Sequence, residues 1–209
     1  MAYAERIEQL RAMMRSRGWD AVIITGSDPH GSEYPAERWK CVQWLTGFTG
    51  EAGDVVVTLD HAGLWTDTRY FIQAVQQLQG TGVELHKMRV PEQVPIPEWI
   101  RQKFAGESEV YIALDGLCVA AGFAREIKSG LNADGAACHL VSVPNLLDAI
   151  WADRPGIPQT PIFTVDPGES RIERLGRLRD WIAEKGVDYI LLSPLDDIAW
   201  ALNVRASDI

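Results

Sequence analysis

The chain has 209 residues, 46% hydrophobic and 23% charged, with 18 glycines and 11 prolines, a balance that builds a buried core and excludes disordered and collagen-like classes. Its 29 acidic against 20 basic residues give a net charge of −9, which repels phosphate backbones and anionic lipid head groups and argues against nucleic-acid and membrane partners. Cys41, Cys118 and Cys138 are odd in number and far apart, which fits reduced thiols better than a disulfide framework or a zinc-binding pair.

Residues 3–17 place Ile7, Leu10, Met13, Met14 and Arg17 at intervals of three and four, which predicts an amphipathic helix ended by Gly18. Ala21-Val22-Ile23-Ile24-Thr25 then reads as a buried strand, far shorter than a membrane span. The charged opening, Met1 to Glu8, does not suit a signal peptide, so a cytoplasmic address is expected. Ser27 to Ser32 is rich in turn residues and reads as loop, and 36–46 as a helix. Strand-prone runs 54–59 and 63–67 flank Asp60-His61-Ala62 and predict an antiparallel hairpin. Further helices are expected over 68–79, 98–104, 118–130 and 145–153, and further strands over 83–88, 110–114 and 139–143. The result is an α/β fold with about six strands interleaved with helices.

Residues 154–168 hold four prolines and two glycines and read as a linker. Ser170-Arg171-Ile172-Glu173 is then a capping box. A shift of 168 residues superposes Glu5, Arg6, Leu10, Arg11, Arg17, Gly18 and Asp20 on Glu173, Arg174, Leu178, Arg179, Lys185, Gly186 and Asp188, and Val22-Ile23-Ile24 on Ile190-Leu191-Leu192. A repeated unit of helix, glycine and strand is the reading. The expected division is a domain at 1–154, a linker at 155–168 and the beginning of a second, similar domain, truncated, at 169–209.

Three constellations could carry chemistry. In Trp65-Thr66-Asp67-Thr68-Arg69-Tyr70-Phe71, Asp67 could cap a helix while Arg69 is either its structural partner or open to a ligand carboxylate. Asp28, His30 and Glu33 gather in the loop after a strand, where ligands often bind. A metal site would want a second histidine at helical spacing there, so a solvated loop is favoured. His61, His86 and His139 are scattered and suggest no metal arrangement. Gly47-Phe48-Thr49-Gly50-Glu51-Ala52-Gly53 lacks the Lys-Ser/Thr of a phosphate loop and reads as a tight connection.

Ser32-Glu33-Tyr34, Gly47-Phe48-Thr49-Gly50, Trp65 to Ala74, Asn145-Leu146-Leu147-Asp148, Ile150 to Pro155, Leu195 to Trp200 and Ser207-Asp208-Ile209, in this order and spacing, resemble the N-terminal part of cytosolic Xaa-Pro aminopeptidases. The resemblance implies a creatinase/prolidase N-terminal-like domain with a mixed sheet and flanking helices, followed by the start of a second such domain. It implies a three-domain parent that removes the residue preceding proline from peptides with proline at the second position. In that family a third domain holds two divalent metal ions, commonly manganese, through two Asp, one His and two Glu, and none of those motifs occurs in these residues. No catalytic residue, metal ligand or cofactor is therefore expected in this segment. Arg69 matches the family's substrate-pocket arginine, and a homodimer is expected. The rival readings are a stand-alone peptide- or protein-binding α/β domain and a small hydrolase built on Asp28, His30 and Glu33.

Overall fold

The computed structural model describes residues 2–207 and divides into two compact units, Met1–Gly156 and Ile157–Ile209. In the first, α1 (Tyr3–Arg17) ends at Gly18, whose φ of 68° is the left-handed conformation that glycine adopts without a Cβ penalty. It buries Ile7, Leu10 and Met14. Strand β1 (Ala21–Ile24) follows, then a single turn of 3-10 helix at Glu37–Trp39, α2 (Cys41–Thr46), and the hairpin β2 (Asp54–Thr58) and β3 (Ala62–Thr66). The rest comprises α3 (Phe71–Gln77), β4 (Glu84–Lys87), α4 (Ile96–Lys103), β5 (Glu109–Leu114), α5 (Ala121–Ala133) and β6 (Ala137–Ser142).

The six strands form one mixed sheet in the order β4-β3-β2-β1-β5-β6. β2 is antiparallel to both β1 and β3, whereas β1 with β5, β5 with β6 and β3 with β4 are parallel. Successive side chains in β1 and β2 serve opposite faces. Val22, Ile24, Val55 and Val57 pack with α1 and α2 on one side, and Ala21, Ile23 and Val56 pack with Ile100, Ile127 and Leu131 of α4 and α5 on the other. That two-sided burial explains why these strands read as continuous apolar runs.

Four expected helices differ in the structure. The helix expected over 36–46 is split at Lys40, whose ψ of 49° interrupts the helical backbone. That expected over 68–79 begins only at Phe71, because Asp67 first closes a turn by accepting the backbone N–H of Arg69 at 3.1 Å and of Tyr70 at 3.1 Å. The helix expected from 118 starts at Ala121, after Cys118 and Val119 donate to the Asp115 carbonyl in a turn. The closing helix expected over 145–153 is a 3-10 turn at Leu146–Ala149, entered through left-handed Asn145 at φ 56°.

That last segment is held by ions. Arg38, buried, donates to Pro155 O at 2.7 Å, Asn145 Oδ1 at 3.0 Å and Asp148 Oδ2 at 3.0 Å. Arg154 reaches Asp148 Oδ1 at 2.7 Å and the Arg38 carbonyl at 3.1 Å. Trp44 and Trp151 stack beside them, 4.8 Å between centroids.

In the second unit, strand β7 (Phe163–Thr164) pairs antiparallel with β8 (Val204–Arg205), and the helices are α6 (Arg171–Lys185) and α7 (Leu195–Leu202). α6 carries the expected capping box, with Glu173 N–H donating to Ser170 Oγ at 3.2 Å and Ser170 N–H donating to Glu173 at 2.7 Å. It ends at left-handed Gly186, φ 64°. The strand expected at Ile190-Leu191-Leu192 does not form: among the described residues it has no pairing strand, and Leu191 is 85% exposed. Of the motif Ser207-Asp208-Ile209, the last two residues lie outside the described ones.

Candidate functional site

β1 leads into the loop from Thr25, β3 ends at Thr66, and antiparallel β2 starts at Asp54, so three chain segments meet at one border of the sheet. A cleft of about 320 Å³ there is lined by Gly26, Ser32, Glu33, Glu51, Asp54 and Arg69, among others. A neighbouring cleft of about 210 Å³ shares Gly26, Glu33, Glu51 and Gly53 and adds Tyr34, Trp39 and Gln43.

Two close approaches build the floor. A Cβ on Gly26 would stand 2.6 Å from the Gly53 carbonyl oxygen, and one on Gly50 would stand 2.2 Å from the Phe48 ring and 2.8 Å from Tyr70. Only glycine permits either contact without displacing its neighbours. Gly26 N–H donates to Asp54 Oδ1 at 3.0 Å, and burial pushes the Asp54 carboxyl above its ordinary value. The segment 47–53 is thus a tight connection, as its composition suggests, and also cleft wall.

Arg69 stands at the rim with its side chain 60% exposed. It donates through Nη2 to Asp67 Oδ2 at 2.8 Å and through Nε to Asp67 Oδ1 at 3.0 Å, a two-point pairing that fixes the guanidinium plane. Those bonds hold the Asp67 carboxyl down to about 2. Both alternatives left open by the sequence are therefore compatible: Arg69 is paired with Asp67 and still faces the cleft. Acidic groups dominate the remainder. Tyr70 donates to Glu51 at 3.3 Å, and the charges of Glu33 and Glu51 raise the Tyr34 hydroxyl above its usual range.

Asp28, His30 and Glu33 are not brought together. Asp28, 2% exposed, accepts the backbone N–H groups of His30 and Ser32 at 2.9 Å each and shapes the loop. Burial works to raise its carboxyl, but these bonds outweigh it and the net shift is downward. Asp28 and His30 line a cleft with Thr25 and Cys118, whereas Glu33 lines the one holding Arg69. Burial pushes the thiols of Cys41 and Cys118 up to about 11 and about 12, which leaves both protonated and poor nucleophiles at neutral pH. Among the described residues, the set of His, Cys, Asp or Glu whose donor atoms converge is His61, Glu84 and His86. Sequence spacing concealed it, since the two histidines are 25 positions apart and only the pairing of β3 with β4 joins them.

Comparison with known proteins places this geometry. The profile described as the creatinase/prolidase N-terminal domain matches residues 6–150, and a second profile of the same description matches 153–209. Aminopeptidase P2 of Arabidopsis thaliana is 36% identical over 98% of this chain and 29% of its own length. Xaa-Pro aminopeptidase 1 of Dictyostelium discoideum is 32% identical over 100% of this chain and 34% of its own. Among solved structures, the X-prolyl aminopeptidase of Caenorhabditis elegans, described as a cytosolic enzyme with a di-nuclear active site, superposes with a TM-score of 0.85 at 31% identity, covering 100% of this chain and 35% of that one. The chain thus spans about a third of the length of the relatives it matches. With both profiles, the mixed six-stranded sheet and this superposition in agreement, the chain belongs to the creatinase/prolidase N-terminal domain family.

Proposed function

We propose that this chain is the non-catalytic N-terminal portion of a cytoplasmic, metal-dependent Xaa-Pro aminopeptidase, and that its cleft positions peptides with proline at the second position. The domain reading that goes with it is 1–154, a linker at 155–168 and the start of a similar domain at 169–209. A homodimer is part of the same proposal. The observation that carries it is the Arg69 guanidinium, held at the cleft rim by two bonds to Asp67 and largely exposed beyond them. A guanidinium so oriented offers its remaining N–H groups to a substrate carbonyl or carboxylate. Across the cleft, Glu33 and Glu51 favour a cationic group such as a peptide's amino terminus.

Peptide hydrolysis in the di-nuclear manner needs several carboxylates gathered around two cations. The donor atoms that converge among the described residues are two imidazoles and one carboxylate, which do not fit that arrangement. No hydrolytic step is assigned to residues of this chain; its contribution is orientation and exclusion of misfitting substrates.

The test is Arg69→Ala in the full-length parent. The proposal expects kcat/KM for an Xaa-Pro peptide to fall by about tenfold to a hundredfold, the range of one lost charge-assisted contact, with the far-ultraviolet dichroism unchanged. Unaltered kinetics in a folded variant would assign Arg69 to the Asp67 turn alone.

A further inference from the structure

We propose that His61, Glu84 and His86 form a binding site for a single divalent transition-metal ion of the zinc type, clamping the edge strand β4 to the β2–β3 hairpin. This departs from the expectation of no resident cofactor in these residues, and it is independent of the substrate-positioning role of Arg69.

The topology makes the site. His61 lies in the turn between β2 and β3, and Glu84 and His86 are two positions apart on β4, so they share a face. β4 pairs parallel with β3, placing Glu84 opposite Gly63 and His86 opposite Trp65. The Nε2 atoms of His61 and His86 stand 3.1 Å apart, Glu84 Oε2 lies 3.8 Å from His61 Nδ1, and one donor atom from each of the three falls within 4.8 Å of the others. Nitrogens bound at about 2.0–2.1 Å to a tetrahedral ion are about 3.3 Å apart, so the two imidazoles already have the spacing to share one and need only turn their lone pairs from each other toward it. Glu84 now faces His61 Nδ1 and not the two Nε2 atoms, and with 74% of its side chain exposed it is free to swing round as the third donor.

The rings are also held. A Cβ on Gly63 would stand 2.7 Å from both Nε2 and Cδ2 of His86, so glycine is what lets the imidazole lie across the strand. Trp65 stacks on His86 with centroids 3.8 Å apart and planes 7° apart, and Trp99 of α4 lies 4.8 Å from the His61 ring. Such preorganisation lowers the entropy lost on binding. Charge around the pair is compatible with a cation: Glu84 and Asp60 favour it, while Lys103 is paired to Asp60 at 2.6 Å and Arg11 is engaged by Glu8 and the Thr58 carbonyl. Burial keeps both imidazoles below their ordinary value, so they are neutral and offer lone pairs at pH 7. When an ion enters, the proton shared between the Nε2 atoms moves to the outer Nδ1 of its ring, so each imidazole remains neutral. Two imidazoles and a carboxylate suit zinc, copper or nickel rather than calcium or magnesium.

The experiment titrates zinc chloride into the whole 209-residue chain at pH 7.5 by calorimetry, with cobalt(II) visible absorption as a second readout. The expected result is one ion per chain with micromolar or tighter affinity, and a rise in thermal midpoint of about 5 °C at zinc a hundredfold above the dissociation constant. His61→Gln is expected to weaken uptake at least a hundredfold and Glu84→Gln about tenfold. Glu84 is exposed and His61 sits in a turn, so these variants keep the test decisive even if the tightly stacked His86→Gln fails to fold. Absence of saturable uptake in the unsubstituted chain, or equal affinity in His61→Gln and Glu84→Gln, would overturn the proposal.

Discussion

Asp67 and His86 are each held away from their ordinary protonation, and each gives the fold a pH dependence of known sign. The folded-state value of Asp67 is about 2 against 3.8 for a free carboxyl, because Arg69 bonds to it and its own turn donates to it. The depressed value means that stability is fully present above the unfolded value and drains as pH falls from about 4 to about 2. Urea midpoints of Arg69→Ala are expected to show a flatter profile across that range than the unsubstituted chain. His86 is lowered to about 4 from 6.5, first by burial and then by His61. Its unfolded form takes a proton first, so stability is lost as pH falls from about 6.5 towards 4. His86→Phe, which keeps an aromatic ring against Trp65, should remove that loss when midpoints are compared at pH 7 and pH 5. Of these two residues, only the first could be read from the amino-acid order. Asp67 and Arg69 are neighbours at a strand end, and local spacing is enough to pair them. His86 owes its surroundings to a parallel pairing and to the missing side chain at Gly63, neither of which leaves a periodic trace.

At the scale of elements, the segment 145–155 shows how ions replace helix as the means of closure. Arg38, itself buried, joins Pro155, Asn145 and Asp148, and its removal unties all three at once, while the half-exposed Asp148 keeps its bond from Arg154. Arg38→Ala is expected to cost about 1–3 kcal/mol in urea denaturation, the range for losing hydrogen bonds to a charged group whose acceptors stay within reach of water. The apolar spacing of Leu146, Leu147, Ile150 and Trp151 suggested a helix, but a 3-10 turn buries Leu146 and Leu147 once Asn145 turns left-handed, and the chain just beyond it buries Trp151 and part of Ile150. Periodicity reports which side chains go inside, and it does so for helix and tight turn alike. The opposite case is α6, where Ser170 and Gly186 mark both ends and the observed bounds follow them. Ser170→Ala should lower the local stability of α6 by about 0.5–2 kcal/mol, seen as faster amide exchange over its first turn.

For the whole molecule, the division at Gly156 falls in a stretch whose residues 159 and 161–164 are exposed. A broad-specificity protease is expected to cut first within 156–162, leaving a resistant product with the mass of the first unit, as mass spectrometry would register. The alternation of strand-like and helix-like runs disclosed a layered α/β fold, because each run was long enough to have its own period. Strand order was hidden, since nothing local tells β1 that its neighbours are β2 and β5.

That order also ranks the backbone by how long it would retain deuterium. β1 lies in the interior of the sheet with a partner on either flank, and both faces of Val22 and Ile23 are shut away from solvent, so their amides open only when the entire unit does. Label would leave from the two borders inward, β4 and β6 first, and the residue that surrendered it last would report the global unfolding free energy without any denaturant.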